Sequence, residues 1–302
     1  MTKTLSALAA ASVIWTAPAL AQPADPLTRP IQPAYAARWL APQAPARVFG
    51  NTYYVGFGGL SLALIDTGAG LMLVDGGVPQ GVAQVEANIR KLGFRVQDIR
   101  YILSTESHWD HSSGIAALAR GSGAMAIASA SGAEALRLGR SDPEDPQAED
   151  LERFPAVGRV RAVRDGETIR LGNATVRAVM TPGHSPGSTS WTWKSCEAGQ
   201  CRNVVFAASL NPISSDHFHY TRHPRRGDLT TGFRAGMRKL AALPCDVLIT
   251  AHPDHSGFDA KLKAAEAGRA PNPFVDPGAC RAYSAKYEAL LDKRIAGEKS
   301  EK

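Results

Sequence analysis

Short runs in which apolar and polar residues alternate recur through most of the chain. They predict strands at 48–55, 60–66, 71–75, 100–104, 124–128, 159–163, 168–171, 174–180, 189–194, 204–208 and 246–250. Elsewhere the period changes. Val82, Val85, Ile89 and Leu92 recur at spacings of three and four, which predicts an amphipathic helix over 80–92, stopped at Gly93. Phe233, Met237 and Leu240 mark a second helix at about 230–243, and Tyr283, Tyr287, Leu290 and Leu291 a third near the C-terminus. Strands in succession, then helices interleaved with strands, then strands again, predict an α/β fold of two sheets sandwiched between helices. No internal repeat and no linker divides the chain. Residues 22–46 read as an extended arm over the domain surface, and the polar, proline-rich stretch 141–155 as a surface loop.

Composition narrows the class. Of 302 residues, 44% are hydrophobic and 21% charged, which excludes bulk disorder and a coiled coil. One apolar stretch approaches membrane length, and it opens the chain: MTKTLSALAAASVIWTAPALA. A positive Lys3, a short small-residue run and Ala19-Leu20-Ala21 predict a signal peptide over 1–21, cut before Gln22, rather than an anchor. The run is short for a span and contains Pro18. The mature chain, 22–302, is then one exported, periplasmic domain with no stable membrane anchor, expected to be a monomer. The net charge of +6 is spread out, apart from Arg222, His223, Arg225 and Arg226, so no nucleic-acid partner is expected.

Export changes how the cysteines read. Four of them, in an oxidising compartment, imply two disulfides with three possible pairings. The expected pairs are Cys196–Cys201, closing the tip of SCEAGQC, and Cys245–Cys280, tying the strand at 246–250 to the C-terminal helix. A four-cysteine zinc site would need paired C-x-x-C spacing, which is missing.

The chemistry concentrates after the strand at 100–104. Glu106, His108, Asp110 and His111 follow within six residues, ahead of Gly114. Four potential ligands at a strand's C-terminal end form a metal-site pattern. His184, in Thr181-Pro182-Gly183-His184, and His252, in Thr250-Ala251-His252-Pro253, also follow strand ends. His255 competes with His252, and Glu106 read on its own is also compatible with orienting a histidine beside a single metal. Asp75 is expected to anchor the 106–111 loop, and Trp109 to pack beneath it. His217, His219 and His223 crowd a later loop and are expected to face solvent.

These residues resemble the metallo-β-lactamase superfamily, whose signature is H-x-H-x-D-H with two later histidines, and more closely its subclass B3. The likeness extends to Asn51-Thr52-Tyr53-Tyr54, Val74-Asp75-Gly76-Gly77, Asp165-Gly166-Glu167-Thr168, Thr181–Gly187, Ser209-Leu210-Asn211-Pro212 and Leu243-Pro244-Cys245-Asp246. One position departs: Glu106 stands where the signature has its first histidine. The resemblance implies a four-layer αβ/βα sandwich of two mixed sheets holding two zinc ions. Glu106, His108 and His184 would take the first, and Asp110, His111 and His252 the second. A metal-bound hydroxide held by Asp110 would open the amide bond of a β-lactam, a small-molecule substrate, and so confer antibiotic resistance. Ser209 and Asn211 would bind the substrate carboxylate, and Tyr54 would donate to the developing oxyanion. Glu106 makes the pair of ions one unit less positive than a histidine would, so it should polarise a carbonyl less. A metal-dependent lactonase, a thioester hydrolase and a non-catalytic metal-binding relative are the alternatives.

Overall fold

The architecture comes from a computed structural model, which describes Met1, residues 25–30 and residues 37–300. Apart from Met1, the signal peptide read at 1–21 lies outside the described residues.

Strands β1 (Ala46–Phe49), β2 (Thr52–Tyr54), β3 (Ala63–Asp66), β4 (Leu71–Val74), β5 (Ile99–Leu103), β6 (Met125–Ser129) and β7 (Val160–Val163) form one sheet in sequential order. Pairing is antiparallel from β1 to β4 and parallel from β4 to β7. The second sheet has the order β12-β11-β10-β9-β8, with β8 (Thr168–Leu171), β9 (Ala174–Met180), β10 (Thr189–Glu197), β11 (Gln200–Ala207) and β12 (Val247–Thr250). Only β11 and β12 run parallel there. Both sheets are therefore mixed, as expected.

Helices cover both outer faces. They are α1 (Val82–Lys91), α2 (Trp109–Ser112), α3 (Ile115–Ser122), α4 (Ala130–Leu138), α5 (Thr230–Ala241), α6 (Phe258–Glu266) and α7 (Ala279–Ser300). The two-residue period of the strands sorts their side chains between layers. Leu73 turns toward Val85, Ile89 and Leu118 of α1 and α3, while Met72 and Val74 turn toward Trp191, Phe206 and Ile249 of the other sheet. On the far side, Val205 and Leu248 meet Phe233, Met237 and Tyr283 of α5 and α7. The result is the four-layer αβ/βα sandwich.

Three local expectations change. The strand read at 48–55 is two strands, because Gly50, at φ 50°, turns the chain back into a hairpin. The short helices α2, α4 and α6 were not legible, since alanine and small polar residues blunt their periodicity. The stretch 141–155 is more than a surface loop: Asp145 is buried at 3% exposure and Phe154 packs into the core. Both expected disulfides are present, Cys196–Cys201 across the β10–β11 hairpin and Cys245–Cys280 from the foot of β12 to α7. No helix among the described residues is long and apolar enough to cross a membrane.

Candidate metal centre

The loop that follows β5 is built before any ligand is placed. Asp75, just past the end of β4, adopts φ 63°, a left-handed conformation that Asp tolerates better than most side chains. There its carboxylate accepts both the amide and the hydroxyl of Thr105, each at 2.7 Å. Thr189 donates its amide to the Thr105 carbonyl, and Trp191 Nε1 donates to that of Ser104. The Glu106 carbonyl accepts from Ser112 Oγ at 2.6 Å, which closes the turn into α2. Two glycines let the loop sit down: a Cβ on Gly114 would lie 2.1 Å from the Gly76 carbonyl oxygen. Trp109 packs beneath the loop against Trp39, with ring centroids 4.9 Å apart.

The loop, the β9–β10 turn and the end of β12 then converge. Glu106, His108 and His184 bring one ligand atom each within 4.8 Å of one another, and Asp110, His111 and His252 do the same. In the second group, Asp110 Oδ2, His111 Nε2 and His252 Nε2 form a triangle with sides of 3.2, 3.2 and 3.3 Å. A tetrahedral cation held by bonds of about 2.0–2.1 Å has ligand-to-ligand edges of about 3.3 Å. The donor set and its spacing thus fit a small divalent metal with one position left open.

Each imidazole has an oxygen facing its other nitrogen. His184 Nδ1 donates to the Asn211 carbonyl at 2.7 Å and His252 Nδ1 to that of Gly59 at 3.0 Å. His108 Nε2 pairs with Asp145 at 2.9 Å, and His111 Nδ1 faces Asp75 at 3.6 Å. The hydrogen-bonded partners fix the rings of His108, His184 and His252, leaving Nε2 of His184 and His252 and Nδ1 of His108 for the cluster, while Asp75 faces His111 from ion-pair distance and leaves its Nε2 inward. Burial disfavours charge throughout, but the groups compensate one another. Burial would raise the Glu106 carboxyl, yet the imidazoles of His111, His184 and His108 hold it at about 2. Burial would lower His108, yet Asp145 pushes it up to about 9. Asp110 lies well below the carboxylate range and His111 well above the imidazole range, for the same opposed reasons.

The six candidate ligands read from the sequence come together here in two groups, but the expected substrate contacts fare differently. Tyr54 is wholly buried, and its hydroxyl donates to the carbonyls of Phe57 and Leu60, so it is no oxyanion donor. Ser209 is 1% exposed, and both its donors serve Glu106 rather than a substrate: N to Oε2 and Oγ to Oε1, each at 2.9 Å. Asn211 lends its carbonyl to His184 and is itself partly exposed. His255 stacks on His252 and Tyr287 but joins neither triad; burial and His252 lower it to about 3. Of the later histidines, His217 is exposed but His223 is buried against Phe218, contrary to expectation. Sequence reasoning missed Asp145 because the proline-rich stretch around it looked solvent-facing. Its only signal was an acid following the Pro143-Glu144 pair.

Two ligand triads on adjoining strand ends of an αβ/βα sandwich define a metal-dependent hydrolase. The metallo-β-lactamase superfamily model matches residues 47–252, and the chain belongs to that superfamily. It is 49% identical to a solved B3 metallo-β-lactamase described as the first with an active-site glutamic acid, at a TM-score of 0.84 over 92% of this chain and 99% of that one. Rm3 metallo-β-lactamase matches at 43% identity and TM-score 0.85, over 89% of this chain and 100% of that one. BJP-1, the subclass B3 enzyme of Bradyrhizobium japonicum, matches at 36% and 0.79, over 88% and 98%. Among curated relatives, a hydroxyacylglutathione hydrolase of Rhodospirillum rubrum is 27% identical over 155 residues, 50% of this chain and 46% of the relative. Thioesterase pkgB of Emericella nidulans is 28% identical over 204 residues, 68% of this chain and 46% of the relative. The chain spans less than half the length of these two relatives. It is a hydrolase with the subclass B3 arrangement, in the variant that carries glutamate at the first ligand position.

Proposed function

We propose that the protein is a periplasmic, monomeric zinc enzyme that hydrolyses the amide bond of β-lactam antibiotics and so confers resistance. The observation that carries this reading is the pair of adjoining triads with an oxygen behind each imidazole. Likeness to B3 metallo-β-lactamases over nearly the full length of those chains supports the substrate class.

Glu106, His108 and His184 would hold one ion, and Asp110, His111 and His252 the other. When bound, the ions supply Lewis acidity toward a carbonyl oxygen and lower the pKa of water toward neutrality. The chain's own part is positional. Asp110 keeps its carboxylate ionised among His111 and His252, so it accepts a hydrogen bond from the attacking water and orients it. The oxygens behind His108, His111, His184 and His252 keep the imidazoles from turning away as charge shifts during the reaction. Asn211, partly exposed beside His184, is the remaining donor for a substrate carboxylate.

Hydrolysis of a thioester is the second reading, favoured by the matches to hydroxyacylglutathione hydrolase and to a thioesterase, with a lactone as the related ester the same site would open. Turnover of nitrocefin, of an acyl-homoserine lactone and of a glutathione thioester, each with and without a chelator, decides between them. The lactamase reading expects chelator-sensitive nitrocefin turnover restored by zinc. Turnover of either ester alone transfers the function to the second reading, and no turnover of any leaves a metal-binding relative.

A further inference from the structure

An imidazole ligand offers a metal one lone pair, in a direction set by its ring. A glutamate offers two oxygens on a side chain with three rotatable bonds, so it must be oriented by something else and loses more freedom when fixed. Glu106 has no exposed side-chain surface, so solvent does not do it. Ser209 donates its amide to Oε2 and its hydroxyl to Oε1, both at 2.9 Å, which sets the plane of the carboxylate. The oxygen that also faces the cluster is Oε1, 3.1 Å from His111 Nε2 and 3.6 Å from His184 Nε2. Ser209 is held in turn. Tyr283 Oη donates to the carbonyl of Ala208 and accepts from the amide of Leu210, the two residues that flank it, each at 3.2 Å. Tyr283 lies on α7, three residues beyond the Cys245–Cys280 bridge.

We propose that Ser209 is the positioning residue of the glutamate-containing triad: its amide and hydroxyl aim Glu106 Oε1 at the metal, and it does not bind substrate. From the functional reading this takes only that Glu106 ligates a metal; the identity of the substrate does not enter. A hydroxyl here is useful because the ligand is a carboxylate, which accepts what a metal-bound imidazole cannot. The effect of Ser209 should therefore depend on the residue at 106.

The test is a double-mutant cycle on the full mature chain, stripped of metal and titrated with zinc against a chromophoric chelator. Ser209→Ala removes one oxygen, and thermal melting records any structural cost. In the Glu106 protein, Ser209→Ala should weaken one of the two binding steps by about 10–100-fold, the usual effect of losing a partner behind a metal ligand. In a Glu106→His background, the same substitution should leave both steps within about twofold, the coupling being absent. The KM for nitrocefin should be unchanged by Ser209→Ala. Equal weakening in both backgrounds, or none in either, overturns the proposal. So does a raised KM with an unaltered titration, which would return Ser209 to the substrate. If no β-lactam is turned over, the functional reading fails while the titration still decides this one.

Discussion

Glu106 Oε1 lies nearer to His111 Nε2, at 3.1 Å, than to His184 Nε2 of its own triad, at 3.6 Å. The carboxylate is thus placed between the two candidate ion positions, and its charge bears on both. Glu106→His removes that charge from the whole centre. A more positive centre deprotonates water at lower pH. The acid limb of the kcat/KM profile should move down by roughly one pH unit, a change of about 1.4 kcal/mol between protonation states. Superimposable profiles for the two proteins would refute this.

Asp145 stands behind His108 and shares its burial. Asp145→Asn removes the charged partner while preserving shape. Metal retention should fall by about 10–100-fold, measured as zinc remaining after dialysis against graded chelator. Retention equal to the parent protein would show that the pair orients nothing.

Tyr54 separates a structural from a catalytic role. Tyr54→Phe leaves the carbonyls of Phe57 and Leu60 without that donor, at a cost of about 1–2 kcal/mol. Nitrocefin kcat/KM should stay within about twofold while the melting temperature falls by about 2–8 °C. Lost activity at an unchanged melting temperature would reinstate the oxyanion role.

Glu298 on α7 ties down the loop that follows Asn211. Its side chain is 1% exposed; it accepts the amides of Tyr220 and Thr221 and pairs with Arg294. Burial opposes its ionisation, but Arg294 and these amides outweigh burial and lower its pKa. A lowered carboxyl stabilises the fold above the unfolded pKa, about 4.3, and that stability is lost as pH falls through the folded value. Glu298→Gln should cost about 2 kcal/mol at pH 7. The gap to the parent protein should narrow below about pH 4 in thermal or urea melts. A gap independent of pH would assign the effect to shape rather than charge.

The strands and the six candidate ligands were legible because both rest on local pattern. Alternation survives in β8 and β9 almost residue for residue, and metal donors cluster at strand ends where few other functions place them. What stayed hidden depends on neighbours distant in sequence. Nothing local announces that Asp145 meets His108, 37 positions away, or that Ser209 meets Glu106, 103 positions away. Tyr54 was misread because a buried tyrosine in β2 and one at a cleft have the same neighbours in sequence. The difference lies in which face of the sheet its strand turns inward.

The contact between Gly76 and Gly114 leaves room for no side chain. A single methyl at Gly114 would collide with rigid main chain rather than with a side chain able to swing aside. The crossing therefore has no give: any side chain at Gly114 would push the start of α3 away from Gly76, and the loop that carries residues 106–111 would have to shift with it.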